Sequence, residues 1–299
     1  MRILLTGSTG LIGRNLLPLL LAKGHEVTCV VRSGAPKQLS PTHFHLTGDL
    51  LEDRFSLHGL KYDSLIHLAW LTTPGEYWTS ALNEAWVDAS LRLARQFLDA
   101  GGTKIIVTGT CAEYRWGNSS CDEDTGALQP QSPYGSAKAK LRNCLLDELQ
   151  SYAGSSLAWA RVFFPYGPGE ATQRLFPQLL IPMLAGEDVR CSDGWQKRDY
   201  LHANDVAGAI ATLIDNRSAV GDFNIASGQA VSIRDIVDIC REVTLSNSRI
   251  VYGSIPMRVS EPDRIAGNST KLTQLGWEPQ LDLRIGIAAY SEWLRTHGF

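Results

Sequence analysis

The sequence predicts an α/β fold, a doubly wound parallel sheet with a smaller C-terminal lobe. Apolar strands alternate with helical runs through the first half of the chain. A glycine turn, Gly7-Ser8-Thr9-Gly10-Leu11-Ile12-Gly13, lies between the first strand and an amphipathic run over residues 11–23. Proline becomes frequent shortly after Phe164. Continuous Val, Ile and Leu strands separated by helices are typical of a parallel sheet covered on both faces.

The elements follow in order along the chain. We predict strands at residues 3–6, 26–31, 44–46, 64–69, 104–109, 157–163 and 222–225. We predict helices at residues 11–23, where Pro18 is expected to cause a kink, and at 79–100, 136–152 and 233–244. We assign residues 1–165, joined again by about 203–226, to the sheet domain, and residues 166–202 and 227–299 to a substrate-binding lobe.

Composition excludes several classes of function. The 299 residues carry a net charge of −3, which offers no basic surface for nucleic acid or for a membrane. No apolar stretch approaches the roughly 20 residues of a membrane helix, and no signal segment is recognised near Met1. The six cysteines form no Cys-x-x-Cys pair and the seven histidines show no metal-ligand spacing. We therefore expect a cytoplasmic protein with reduced thiols and no metal.

The glycine turn is suited to bind a pyrophosphate. Gly7, Gly10 and Gly13 let the backbone turn tightly and approach a ligand, and the following helix directs free N–H groups and its positive dipole end at an anion. Thr9, Leu11 and Ile12 of the same turn are assigned to the cofactor site with the glycines. A strand before the turn and a helix after it favour a Rossmann dinucleotide site over an ordinary loop.

The tip of the second strand is expected to meet the adenosine ribose. An acid there favours NAD, whereas an arginine accommodates the 2′-phosphate of NADP. Arg32 stands at this tip without a competing acid, which favours NADP(H) over NAD(H), although it could equally be a solvated charge. Asp49, after the third strand, is a candidate acceptor for the adenine amino group or a helix N-cap, and Leu50 is assigned to the same site.

Tyr134 and Lys138 form the candidate catalytic pair. Their spacing of four places both side chains on one face of a helix. A phenol with a reference pKa of about 10 is a poor acid–base at neutral pH unless a nearby cation favours the phenolate. Thr110 follows the fifth strand at the carboxyl edge of the sheet, where ligands bind in open α/β folds. A surface tyrosine and lysine on a solvated face is the alternative.

Several motifs in one order resemble the extended short-chain dehydrogenase/reductase family, the branch of nucleotide-sugar epimerases, dehydratases and reductases. They are Gly7-x-x-Gly10-x-x-Gly13, Asp49, His67-Leu68-Ala69, Thr110, Tyr134-x-x-x-Lys138, Arg161 to Pro168, Asp193 to Tyr200, and Leu275-Gly276-Trp277-Glu278-Pro279. The resemblance covers essentially the whole chain.

The resemblance implies roles for individual residues. Tyr134 would be the general acid–base, Lys138 would hold the nicotinamide ribose and lower the pKa of the tyrosine, and Thr110 would hydrogen-bond the substrate oxygen. The remaining cofactor contacts would come from Leu68, Ala69 and Phe163. Substrate contacts would come from Thr110, Cys111, Phe164, Arg198 and Arg258, of which the two arginines suit a diphosphate.

Departures from the family pattern bear on the reaction. The 4,6-dehydratases carry an Asp-Glu pair directly after the catalytic threonine, and here Cys111 and Ala112 occupy those positions. A dehydratase is therefore disfavoured, since Glu113 would need a shifted geometry to substitute. Phe164-Pro165 replaces the family's Asn before Tyr-Gly-Pro, which leaves a smaller carbonyl substrate open.

The favoured interpretation is an NADPH-dependent reductase of a 4-keto-6-deoxy nucleotide sugar, because Arg32 indicates NADP(H) and a net reductase must exchange its cofactor. The alternatives are an NAD-dependent nucleotide-sugar 4-epimerase and a non-catalytic dinucleotide-sensing module; Thr110, Tyr134 and Lys138 argue against the second. The resemblance also leaves open a homodimer formed through the helices at 79–100 and 136–152.

Overall fold

The computed structural model describes residues 1–32, 40–57, 59–117, 121–257 and 261–298. Within these ranges the strands are β1 (Arg2–Thr6), β2 (Glu26–Val31), β3 (His43–Thr47), β4 (Ser64–His67), β5 (Lys104–Thr110), β6 (Ser156–Val162), β7 (Phe164–Tyr166), β8 (Val189–Arg190), β9 (Lys197–Arg198), β10 (Tyr200–His202), β11 (Gly221–Ile225), β12 (Val231–Ser232), β13 (Ile250–Val251) and β14 (Arg264–Ile265). The α-helices are α1 (Gly13–Ala22), α2 (Leu82–Asp99), α3 (Pro133–Leu149), α4 (Leu175–Ala185), α5 (Ala203–Asp215), α6 (Ile233–Thr244), α7 (Thr270–Thr273) and α8 (Leu283–His297). None of these helices is long and apolar enough to cross a membrane.

A seven-stranded parallel sheet forms the centre of the molecule and confirms the predicted fold class. Its strand order is β11-β6-β5-β4-β1-β2-β3, and every neighbouring pair is parallel. The order reverses between β1 and β4, which is the switch point where ligands bind in open α/β sheets. The ends of β1, β4 and β5 therefore face one crevice.

Two apolar clusters cover the faces of the sheet. One face packs against α1 and α5 through residues such as Leu16 and Ile210. The other packs against α2 and α3 through residues such as Phe97 and Leu141. Both faces of the central strands are consequently buried, as their continuous apolar sequences predict.

The helix that carries the candidate catalytic pair begins earlier than predicted. Ser132 is its N-cap and accepts a hydrogen bond from the Gly135 N–H, while Pro133 occupies the first turn. Proline fits there because it lacks an N–H that would have no intrahelical partner. Helix α3 therefore starts at Pro133 instead of residue 136, and Tyr134 lies within its first turn.

The C-terminal lobe is built from short strands and three helices. β7 pairs with β10, β9 pairs with β12 and β14, and β8 pairs with β13. Helices α4, α6 and α8 enclose a separate core that includes Phe176, Ile236 and Tyr290. Asp199 holds separate segments of the lobe together. Its buried carboxylate accepts hydrogen bonds from the N–H groups of Ser227, Gly228 and Gly267. β7 follows β6 directly in the chain, so the pairing of β7 with β10 connects this lobe to the carboxyl edge of the sheet.

Candidate active site

The glycine turn is packed so closely that side chains are excluded. Gly7 has a φ of +69°, and a Cβ there would lie 2.8 Å from the Ala69 nitrogen. A Cβ on Gly13 would lie 2.6 Å from the Ser8 Cα and closer still to the Gly7 carbonyl oxygen. Helix α1 begins after Ile12 without a side-chain cap, and the N–H groups of Arg14 and Asn15 donate to the carbonyls of Gly10 and Ile12, so its N-terminal dipole end faces the turn. Thr9, Gly10 and Leu11 lie in the same turn, so the residues present fit a dinucleotide pyrophosphate.

A buried network fixes the β4 end of the crevice beside this turn. The Thr6 hydroxyl oxygen accepts hydrogen bonds from the N–H groups of Leu68 and Ala69, each at 3.2 Å. It lies 2.7 Å from Nδ1 of His67, whose Nε2 lies 2.8 Å from the Ser90 hydroxyl. Because the Ser90 hydroxyl donates to a backbone carbonyl, His67 is assigned as donor at Nε2 and acceptor at Nδ1. Burial, with a smaller effect of the Lys138 charge, lowers the pKa of His67 to about 3, so the ring is neutral.

Arg32 and Asp49 lie at adjacent strand tips near the glycine turn. Arg32 directly follows β2 and is exposed. The Gly48 N–H donates to the Val31 carbonyl at 2.9 Å, which holds the two tips together. Asp49 accepts a hydrogen bond from the Leu51 N–H at 3.0 Å, and Leu50 between them is buried. This edge therefore presents one cation and one carboxylate where the adenosine half of a dinucleotide is expected.

The structure brings Thr110 and Tyr134 together. Thr110 ends β5, is buried, and its hydroxyl accepts a hydrogen bond from the Ala112 N–H at 3.2 Å. The Thr110 side chain lies beside the Tyr134 hydroxyl. The ring of Tyr134 makes edge contacts with Tyr77 at 4.9 Å and Trp78 at 5.8 Å between centroids. Burial raises the pKa of Tyr134, and the Thr110 side chain opposes that effect.

Lys138 lies beneath this pair in an enclosed position. Its ammonium donates to the Thr108 carbonyl at 2.8 Å and lies 3.8 Å from the centroid of the Trp70 ring. Burial lowers the pKa of Lys138 to about 7, although the charge of Glu113 raises it. The sequence led us to expect that Lys138 lowers the pKa of Tyr134, and the structure adds burial as an opposing influence. Tyr134 is consequently protonated at neutral pH and suited to donate its proton.

The residues after Thr110 cannot supply a second acid–base group. Cys111 is buried against Phe163, and burial raises the pKa of its thiol well above the usual value. Glu113 is fully buried, and its carboxylate accepts hydrogen bonds from the side chains of Trp159 and Arg161. The shifted geometry that Glu113 would need to replace a dehydratase acid is therefore absent from this arrangement.

Arg198 and Phe164, two of the residues assigned to the substrate from the sequence, lie close together in the structure. Arg198 is buried, forms an ion pair with Glu261, and lies 5.9 Å from the centroid of the Phe164 ring. Arg258 lies outside the described residues. Aromatic rings continue towards Tyr134, since Trp116 makes an edge contact with Trp78.

Three residues support the site in ways that the sequence did not predict. Trp70 covers Lys138, and its indole N–H donates to the Asn83 side chain at 2.9 Å. Asn83 in turn donates to the carbonyl of Tyr77 at 2.7 Å, so it links two of the rings around the catalytic pair. Glu113 was considered only as an acid. The sequence did contain a signal for its ion pair with Arg161. That arginine lies within a largely apolar strand, and a buried arginine requires a partner of opposite charge.

Known proteins resemble this chain over its full length. The chain matches the family described as NAD dependent epimerase/dehydratase over residues 3–226. UDP-glucose 4-epimerase of Corynebacterium glutamicum is 28% identical, across 95% of this chain and 93% of that protein. Among solved structures, MoeE5 in complex with UDP-glucuronic acid and NAD is 28% identical, with a TM-score of 0.82 and 99% of each chain covered. TunA, an NAD dependent NDP-hexosamine 5,6-dehydratase, is 25% identical with a TM-score of 0.85, covering 99% of this chain and 98% of that one.

The family match spans the glycine turn, Thr110, Tyr134 and Lys138, which the fold gathers around one crevice. The chain therefore belongs to the NAD dependent epimerase/dehydratase family, enzymes of the extended short-chain dehydrogenase/reductase type that its motifs resemble.

Proposed function

We propose that this enzyme is an NADPH-dependent reductase of a 4-keto-6-deoxy nucleotide sugar. The observation that carries the chemistry is the proximity of Thr110 to the Tyr134 hydroxyl at the carboxyl edge of the sheet, with Tyr134 one helical turn from Lys138. When bound, the nicotinamide supplies the hydride. The chain's own residues must then position a keto oxygen and deliver a proton to it.

Tyr134 is the proton donor of this scheme. Its phenol keeps its proton in the resting site because desolvation raises its pKa, so the proton moves only as negative charge develops on the keto oxygen. Thr110 lies beside the same phenol and would orient the keto oxygen that both hydroxyls reach. Lys138 offers the cation that stabilises the resulting phenolate, because a positive charge nearby favours the ionised tyrosine.

Arg32 supports NADP(H) as the cofactor. Its guanidinium follows β2, the strand next to β1 and its glycine turn, and fits a 2′-phosphate through bidentate hydrogen bonds. Arg198, paired with Glu261 beside Phe164, is proposed to contact the diphosphate of the sugar nucleotide. The cofactor residues assigned from the sequence, including Phe163, and the division into a sheet domain and a substrate lobe belong to the same proposal.

The second candidate is an NAD-dependent nucleotide-sugar 4-epimerase, and the 28% identity to a UDP-glucose 4-epimerase across 95% of the chain favours it. The same Tyr134 and Thr110 would serve it, but Tyr134 would have to be ionised before it could accept the proton of the C4 hydroxyl and then return it. Cofactor exchange separates the two candidates, since an epimerase recycles its hydride within one turnover and a reductase consumes its donor.

The purified protein distinguishes these candidates directly. Released nucleotide is identified after denaturation, and nicotinamide absorbance is followed with NADPH plus UDP-4-keto-6-deoxyglucose. We expect no retained NAD and one NADPH oxidised per sugar reduced. Retained NAD, together with conversion of UDP-glucose to its C4 epimer without net absorbance change, would favour the epimerase instead.

Sedimentation of the same sample tests a homodimer formed through α2 and α3.

A further inference from the structure

A buried carboxylate lies directly behind the catalytic threonine. Glu113 has no exposed surface, and its Oε1 accepts a hydrogen bond from the Thr110 backbone N–H at 2.7 Å. Its Oε2 accepts from the Trp159 indole N–H at 2.9 Å and from the Arg161 Nε–H at 2.7 Å. Three donors from β5 and β6 therefore converge on this one side chain.

Only a carboxylate satisfies this set of partners. Its two oxygens accept hydrogen bonds and carry no hydrogen, whereas an amide would turn an NH₂ group towards one of the three donors. The packing also requires Gly109, because a Cβ there would lie 2.5 Å from the Glu113 oxygen and against the Trp159 indole nitrogen. The sequence Gly109-Thr110 thus allows the carboxylate to approach the backbone that it holds.

The far side of Arg161 anchors the carboxylate in turn. Its Nη1 lies 3.1 Å from an Asp222 oxygen on β11, and Arg142 on α3 donates to both oxygens of Asp222 at 2.6 and 2.7 Å. The charges alternate in sign from Glu113 to Arg142, so the buried pair is not isolated. Asp222 and Arg142 thus balance the charge of Arg161 on its side away from Thr110.

We propose that Glu113, held by Arg161, is a positioning residue that fixes the Thr110 backbone so that its hydroxyl stays aligned with Tyr134. The proposal rests on the proposed function, because it assigns Thr110 the orientation of the keto oxygen. The Thr110 side chain is fixed from a second direction by the Ala112 N–H, which donates to its hydroxyl oxygen. Loss of the Glu113 carboxylate would remove the hydrogen bond at the Thr110 N–H and leave only the one at its hydroxyl.

The test compares Glu113→Gln with Asp222→Asn. The second substitution is the matched control, because it removes a charge that pairs with Arg161 on the side away from Thr110. Rates are measured with NADPH and UDP-4-keto-6-deoxyglucose, or with UDP-glucose if the enzyme is an epimerase, below both melting temperatures. For Glu113→Gln we expect kcat to fall at least about tenfold while KM and dinucleotide affinity stay within about threefold. For Asp222→Asn we expect kcat within about threefold of the original, whatever its loss of stability.

A double variant keeps the proposal testable if Glu113→Gln does not fold. Glu113→Leu with Arg161→Met removes both charges, so neither is left buried and unpaired. A folded variant of either kind that keeps full kcat would overturn the proposal, as would an equal loss of kcat in Asp222→Asn. Tyr134→Phe is measured alongside: if it remains active, the proposed function itself fails, whereas an inactive Tyr134→Phe with an active Glu113→Gln refutes only the role of Glu113.

Discussion

Replacing Gly13 with alanine would test whether the glycine turn is the dinucleotide site. The new Cβ would lie 2.6 Å from the Ser8 Cα and 2.9 Å from the Gly7 carbonyl carbon, against ordinary contacts of roughly 3.5–4.0 Å. Both neighbours are backbone atoms, so no rotamer change relieves the overlap and the turn itself must move. Overpacking of this kind typically costs about 1–3 kcal/mol. If the displaced turn loses a similar free energy of binding, dinucleotide affinity falls about 5- to 150-fold.

Gly208→Ala is the matched control for this substitution. Gly208 lies inside α5, where a Cβ would meet only the Trp277 indole nitrogen at an ordinary 3.6 Å. Alanine in a helix interior is favoured over glycine by about 0.8–1.0 kcal/mol, so this variant should be as stable as the original or slightly more stable. Affinities are measured by fluorescence titration with NADPH and NADH. Unchanged affinity in Gly13→Ala would refute the assignment of the turn.

Three further substitutions examine the cofactor, the substrate and the buried lysine. Arg32→Asp should shift the preference from NADPH to NADH in kcat/KM, and an unchanged ratio would mean that Arg32 does not bind the 2′-phosphate. Arg198→Lys keeps the charge but loses the planar fork, so KM for the nucleotide sugar should rise about tenfold with little change in kcat; an unaltered KM would place the diphosphate elsewhere. Burial lowers the pKa of Lys138 to about 7, so the unfolded chain binds an additional proton between pH 7 and about 10, and the free energy of unfolding should rise with pH in that window. Lys138→Met should lack this rise in urea titrations at pH 7 and 9, and parallel behaviour of the two proteins would contradict the low pKa.

The sheet was predictable because its signals are local. β2 spans Glu26–Val31 and α6 spans Ile233–Thr244, as predicted, since each segment has clear boundaries in the sequence. Ser232 and Asp235 form a reciprocal capping box that fixes the start of α6. The strands of the C-terminal lobe contain two or three residues each, and their pairing depends on distant segments. No periodicity can develop over so short a length, so these strands were not predicted.

The catalytic pair could be inferred from spacing, whereas its support could not. Tyr134 and Lys138 are four residues apart, and Thr110 follows an evident strand. The partners of Glu113 lie 46 and 48 residues further along the chain, and only the pairing of β5 with β6 brings them together. Trp70 over Lys138 is similarly a tertiary contact. The spacing in the sequence therefore predicted the proposed catalytic residues. The side chains that hold them in place could be recognised only from the fold.

Turnover of the Tyr134→Phe variant tests the central claim most directly. The change removes one oxygen and leaves the ring that packs against Tyr77 and Trp78. With NADPH and UDP-4-keto-6-deoxyglucose, we predict a loss of kcat of about 10²- to 10⁴-fold, the usual contribution of a positioned proton donor. Dinucleotide affinity should stay within about twofold, because the phenol acts on the sugar oxygen. Turnover close to that of the original enzyme would contradict the assignment of Tyr134 as the proton donor.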